Sequence, residues 1–354
     1  MSGARVAVYG AGNAGRNVSR VLRESGVRVT HFIDVRSAAL GELDGIPVLS
    51  PAEAHDTALP VVIAVFNRDA DPRVIHAVLR GAGAQHVIDY VALHARFARE
   101  LGDQYWLVAQ PALRCHAEAI RKGLDEWHDA SSREHYARLL AYRLTGDPSH
   151  LPDPVGGVPY RPSDLPQPTG AAHFVDGGAF DGDTARAWLD AGITVERYWG
   201  FEPDPANFAA LARWWTAFGA AAPTHSLVQA ALGAEDGTVR FDSGAGEASR
   251  ISGEGSGPTV ALRALDSALA RGTPTEIKLD IEGSEQEALE GARETIGLAR
   301  PRLATCVYHR PEHLWSIPAW ISGLGMGYTL HLRPHAHAGF DVVAYAISPT
   351  VRSG

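Results

Sequence analysis

Residues 174–184 read FVDGGAFDGDT, a glycine-rich turn that carries Asp176, Asp181 and Asp183. Apolar residues run into the turn, and a helical pattern, TARAWLDAG, leaves it. Strand, glycine turn and helix together open a parallel α/β unit. Turns of this kind commonly hold phosphates on the helix N-terminus. Three carboxylates there would repel a pyrophosphate. They suit a ligand that is cationic or carries no phosphate, and S-adenosylmethionine is both.

The contrast lies near the start of the chain. VAVYGAGNAG, residues 6–15, is a glycine turn without an acid. Its Gly10, Gly12, Asn13 and Gly15 fit the GxGxxG pattern between a strand and a helix, and Arg16 follows. Asp34 ends the next strand pattern, about 20 residues on, where an acid can bond a ribose hydroxyl. This turn is expected to hold a nucleotide, or else to serve only strand–helix packing. The run FIDVRSAALGELDGIPVL resembles the N-terminal nucleotide-binding domains attached to bacterial sugar-modifying enzymes. That resemblance implies a nucleotide or nucleotide-sugar pocket. The alternative is an NAD-dependent nucleotide-sugar oxidoreductase or epimerase centred on this turn. A short-chain enzyme of that type needs Tyr-x-x-x-Lys, and neither Lys122 nor Lys278 stands four residues after a tyrosine.

Around the two turns the chain alternates strand and helix patterns. VRVTHFID, LPVVIAVF and HVIDY continue the first unit, residues 1–95. Residues 96–168 show helical spacing and then a Pro- and Gly-rich stretch, expected as a linker or lid. The second unit spans 169–354. Its strands are expected at AHFVD, RYWGFEPD, THSLVQAALG, GTVRFDS, TEIKLDIEG, RLATCVYH, YTLHLRPH and DVVAYAIS, with a Gly/Ser-rich loop after GTVRFDS and a helix over SEQEALEGARETIG. The fold class is therefore α/β, with two Rossmann-like doubly wound sheets joined by a helical, Pro-rich segment.

With 354 residues the chain is long enough for two domains. A net charge of −9 argues against a nucleic-acid partner. No apolar run reaches the length of a bilayer span, so no membrane partner is expected. Two cysteines, Cys115 and Cys306, give neither a bridge framework nor a zinc pattern. The first residues show no basic segment followed by an apolar one, and a cytoplasmic, bacterial protein is expected.

FVDGGAFDGDT, GFEPDPANFAAL, AALGAEDGTVRF and IKLDIEGSEQEALEGA resemble, in order, the motifs of the FkbM family of S-adenosylmethionine-dependent methyltransferases. LATCVYHRPEHLWSIPAWI and YTLHLRPHAHAGFDVVAYA are similar to that family's last strands. The likeness covers about residues 172–348. Gly177 departs from it, standing where many members have a branched apolar residue or cysteine. The resemblance implies a class I methyltransferase fold and transfer to a hydroxyl of a sugar or natural-product scaffold, in natural-product or polysaccharide biosynthesis.

The cofactor is expected on Asp176, Gly177, Gly178, Ala179, Gly182, Thr184, Glu202, Pro203, Gln229, Ala230 and Asp280. Glu202 closes the second strand of the unit and is placed to accept both ribose hydroxyls. Methyl transfer to a neutral hydroxyl needs alignment and removal of a proton. His309 is the candidate base, because histidine titrates near neutrality. Asp280 could orient it or bind the acceptor. Glu282 is a further catalytic candidate, or a helix-terminal carboxylate only. Alternatively Asp280, Glu282, His309 and His335 could hold Mg2+ or another divalent cation. Arg310 and Arg333 could grip an anionic acceptor, and Trp315 and Trp320 could stack on a sugar. Trp214 and Trp215 are expected in the core or at the surface of a homo-oligomer.

Overall fold

The computed structural model describes residues 3–54, 58–108, 110–218, 223–242, 250–251 and 258–349. The Gly/Ser-rich loop expected after GTVRFDS lies mostly outside these residues. The chain divides into two compact units, and both are discontinuous. The first comprises Met1–Glu118, Glu134–Pro154 and Pro334–Asp341; the second comprises Ala119–Arg133, Val155–Arg333 and Val342–Gly354.

The first unit holds a six-stranded sheet. Its strands are β1 (Arg5–Tyr9), β2 (Arg28–Ile33), β3 (Glu42–Leu43), β4 (Ile46–Leu49), β5 (Val61–Ile63) and β6 (Val87–Ile88), in the order β3-β4-β2-β1-β5-β6. β1 pairs in parallel with β2 and β5, so the chain reverses direction across the sheet at the end of β1. A Cβ on Gly15 would stand 1.9 Å from the Gly10 carbonyl oxygen, so only glycine lets the helix Asn13–Glu24 start this close to the strand.

The second unit begins with β7 (Ala172–Gly177), β8 (Val195–Phe201) and β9 (Thr224–Val228). Four further strands follow: β10 (Ala231–Leu232), β11 (Gly237–Asp242), β12 (Arg250–Ile251) and β13 (Thr259–Arg263). They form a small sheet in the order β10-β13-β11-β12. β14 (Glu276–Leu279), β15 (Arg302–Cys306), β16 (Thr329–Pro334) and β17 (Val342–Ile347) complete the main sheet, ordered β16-β17-β15-β14-β7-β8-β9. β7, β8, β9, β14 and β15 run parallel, whereas β17 runs antiparallel to β15. Every residue of β14, β15 and β17 is buried, as in a sheet covered on both faces. Phe174 stacks on Trp188 at 4.0 Å between ring centroids, beside buried Tyr198, Leu211 and Trp215. Burying each such aromatic contributes about 1.5–3 kcal/mol. Trp215 is thus a core residue.

Three details can be added to the expectations. The stretch 96–168, expected as a linker or lid, is divided between the two units. The single helix expected over SEQEALEGARETIG is two, Glu285–Glu290 and Arg293–Ala299. They part at Gly291, where a Cβ would lie 2.1 Å from the Gly233 carbonyl oxygen, so the chain must pass too close to its neighbour for a side chain. Pro334–Asp341 belongs to the first unit, where Gly339 lies under Trp106 and Phe340 packs against Phe66.

Candidate active site

β7 pairs with β8 on one side and with β14 on the other, and the chain leaves the sheet between those visits. This is the switch point at whose carboxyl edge ligands bind in open α/β sheets. Leu279 is opposite Gly177, and Gly177 is opposite Phe201, so the three strands end level. The next residues, Asp280, Gly178 and Glu202, therefore meet at one edge. A Cβ on Gly178 would fall 1.9 Å from the Asp280 carbonyl oxygen, and its φ is 73°. Gly182, at φ 92°, passes under Trp214 in the same turn.

Asp176 has no exposed surface. Its carboxylate accepts from Tyr198 Oη at 3.0 Å and pairs with Lys278 Nζ at 3.1 Å. Lys278 Nζ also donates to the Gly178 carbonyl at 2.6 Å. Burial pushes the Asp176 carboxyl up and works against the Lys278 charge, yet Asp176, Asp280 and Asp183 hold the ammonium above its usual range. We take the pair as ionised, because one ammonium faces three carboxylates. Asp176, expected among the cofactor contacts, fixes the floor of the turn from inside with its side chain.

Glu202 accepts from the Phe180 N–H through Oε2 and from the Asp204 N–H through Oε1, both at 2.9 Å. Burial lifts its carboxyl to about 7 against those two bonds. Each oxygen keeps a lone pair for a further donor. Gly177, Ala179 and Thr184 are buried around the turn, Pro203 is half-buried, and Gln229 is exposed beside buried Ala230.

Asp280 and Glu282 are two apart and would share one face of a regular strand, but the strand does not continue through them. β14 stops at Leu279, and Glu282 and Gly283 follow at φ 55° and 105°. Beyond the strand both carboxylates stand near His309, which follows β15. His309 Nε2 lies 3.4 Å from Asp280 Oδ1 and 3.6 Å from Glu282 Oε2. Its Nδ1 bonds Glu285 Oε1 at 2.7 Å. Glu285 is fully buried and also meets the Ile281 N–H, the Gly283 N–H and His313. Burial resists the His309 charge, but Glu285, Glu282 and Asp280 outweigh it and carry the imidazole up to about 10. With no cation beside it the ring is held in its charged form, and a bound cation would take the place of the Nε2 proton. His309, Glu285 and His313 also hold each other: burial opposes the Glu285 charge, and the two histidines keep that carboxyl well below the usual range.

Tyr160 was not singled out from the sequence. Its hydroxyl donates to Asp280 Oδ2 at 2.6 Å, and its ring lies 5.2 Å from Lys278 Nζ. The stretch around it is pinned: Trp188 Nε1 donates to the Pro159 carbonyl at 2.8 Å, and Arg302 Nη1 donates to that of Tyr160 at 2.9 Å. Arg161 pairs with buried Glu276 at 2.9 Å.

Other candidates fall elsewhere. Arg333 is buried, bonding Asp129 at 3.0 Å, Asp164 at 2.7 Å and the Ser132 hydroxyl at 2.8 Å, so it is a structural cation and not an acceptor clamp. His335 belongs to the first unit and is absent from the Asp280–Glu282–His309 group. Trp315 is buried, and Trp320 Nε1 donates to Glu290, while Arg310 is exposed. In the first unit, Asp34 directly follows β2. Its carboxylate already accepts from the Ala11 N–H at 2.8 Å and from Arg36 Nε and Nη2, both at 3.0 Å, and the Arg36 bond holds its carboxyl down at about 2.

A sheet with five parallel strands and β17 reversed, and acids gathered at the carboxyl edge of its switch point, is consistent with a Rossmann-like methyltransferase fold. Residues 176–331 match the methyltransferase FkbM domain. The crystal structure of methyltransferase FkbM from Methylobacillus flagellatus KT shares the fold, with a TM-score of 0.77 and 24% identity over 98% of this chain and 90% of that one. An rRNA methylase from Streptococcus thermophilus gives a TM-score of 0.33 at 12% identity, over 51% of this chain and 89% of its own, too loose to bear on function. No curated protein matches the chain. Among the described residues no helix is long and apolar enough to cross a membrane.

Proposed function

We propose that the second unit transfers a methyl group from S-adenosylmethionine to a hydroxyl of a small acceptor, a sugar or a natural-product scaffold, in the bacterial cytoplasm. The observation that carries this reading is the placement of Glu202. It directly follows β8 beside the Gly178 turn, with both oxygens anchored by backbone N–H groups and lone pairs left over. That suits two ribose hydroxyls. The buried Asp176–Lys278 pair holds the turn that would carry the rest of the cofactor. Asp280, Glu282 and His309 then stand on the acceptor side. In line with this, the acidic turn disfavours a phosphate ligand.

The first unit contributes a nucleotide-type turn, Gly10, Gly12, Asn13 and Gly15, with no hydride-transfer machinery assigned to it. Calorimetry on the full chain tests the reading. S-adenosylmethionine and S-adenosylhomocysteine should bind, and Glu202→Ala should weaken both. Binding of NAD in their place would overturn it.

A further inference from the structure

The geometry points to a divalent-cation site formed by Asp280, Glu282 and His309, suited to a hard ion such as Mg2+ or Mn2+. One ligand atom from each residue lies within 4.8 Å of the others. Two donors that each stand about 2.1 Å from a shared ion are themselves about 3–4 Å apart. His309 Nε2 meets that spacing to both carboxylates, at 3.4 and 3.6 Å.

Two further observations support a ligand there. Asp280 divides its carboxylate: Oδ2 takes the Tyr160 hydroxyl, while Oδ1 is buried and accepts no hydrogen bond among the described residues. That oxygen is the one aimed at His309. The other side of the imidazole is fixed by Glu285, at 2.7 Å from Nδ1, and Glu285 is itself held by two backbone N–H groups. A carboxylate on the far nitrogen of a histidine sets which nitrogen faces a metal and makes it a better donor. Glu285 is thus a positioning residue, and Asp280, Glu282 and His309 are the ligands. Two carboxylate oxygens and one imidazole, with no thiolate, favour an oxygen-preferring ion over a soft one.

The role of the ion rests on the methyltransferase reading. A cation at this place would bind the acceptor hydroxyl and make its proton easier to lose.

The test needs no acceptor. The full chain, stripped with chelator and dialysed, is titrated with Mn2+ and followed by electron paramagnetic resonance, with calorimetry for S-adenosylmethionine in parallel. One Mn2+ should bind per chain and be displaced by Mg2+. Asp280→Asn and Glu282→Gln, the two partly exposed ligands, should each weaken Mn2+ by about 10-fold or more with an unchanged circular dichroism spectrum, and Glu285→Gln by about 10–100-fold. No Mn2+ uptake by the wild type at millimolar concentration overturns the site, as does uptake unchanged in both ligand variants. Cofactor binding without Mn2+ binding overturns the site and leaves the methyltransferase reading standing. Mn2+ binding with no cofactor binding does the reverse.

Discussion

The Tyr160 hydroxyl donates to Asp280 Oδ2 at 2.6 Å, across 120 residues of chain. Burial and the Asp280 charge hold the phenol well above its usual range, so it remains a donor at any working pH. Tyr160→Phe keeps the ring over Lys278 and removes only this bond. A charge-assisted bond of this kind contributes about 1.5–3 kcal/mol. Urea unfolding of the variant should show a loss of that size with an unchanged slope. No loss at all would mean the bond does not form in solution.

Glu202 gives a pH signature. Its carboxyl rises to about 7 in the fold, above the unfolded value of 4.5. The native state therefore keeps the proton longer than the unfolded chain does. The stability this adds is full below about pH 4.5 and is lost as pH rises towards 7. Cofactor binding runs the other way, because the ionised carboxylate is the stronger acceptor for ribose hydroxyls. Affinity for S-adenosylmethionine, measured by calorimetry from pH 5.5 to 8, should rise through about 7, the value in the fold. Glu202→Gln should bind more weakly, by about 1.5–3 kcal/mol, and lose the pH dependence. A flat wild-type profile would remove Glu202 from the contact set.

Gly178→Ala should be severe. A methyl group there meets a backbone oxygen at 1.9 Å and must also adopt φ 73°. Neither can be relieved by turning a side chain. Backbone strain of this type costs about 1–3 kcal/mol before the clash is counted. Thermal unfolding should drop by several degrees, and the variant should lose cofactor binding even where it remains folded. Wild-type affinity in Gly178→Ala would rule out close approach at this turn.

Asp129 comes from Ala119–Arg133, far before the sheet it serves. It pairs with Arg333 at 3.0 Å and with His331 at 2.5 Å. Asp129→Ala leaves a buried guanidinium with Asp164 as its remaining carboxylate, a loss of about 3–5 kcal/mol for a broken buried pair. Urea unfolding measures it. A change below about 0.5 kcal/mol, the surface-substitution range, would mean that water replaces the pair.

How much of this was legible depends on distance along the chain. The edge that gathers Asp176, Glu202, Asp280 and His309 could be read, because each residue closes its own strand pattern and parallel strands end at one edge. That Asp176 points inward could not. Its partner Lys278 looks like one more strand residue until β14 lies beside β7. Tyr160 and Arg161 sit in a Pro- and Gly-rich stretch with no periodicity, and only long-range pairing reveals their work. Arg333 looks free to bind an anion because Asp129 and Asp164 lie more than 160 residues away. Glu285 had a signal that went unread: His309 and His313 are four apart and both reach it.

The interleaving of the two units bears on synthesis. Chains emerge from the ribosome N-terminus first, and an uninterrupted N-terminal domain can finish folding early. Here the first unit needs Pro334–Asp341, which brings His337 N–H to the Arg68 carbonyl at 3.0 Å and sets Phe340 on Phe66. These residues are made after nearly all of the second unit. Until translation is almost complete, Phe66 lacks its contact with Phe340 and Trp106 its contact with Gly339. Ribosome-bound chains halted near residue 300 should be protease-sensitive in the first unit as well as the second, and released full-length chains resistant in both.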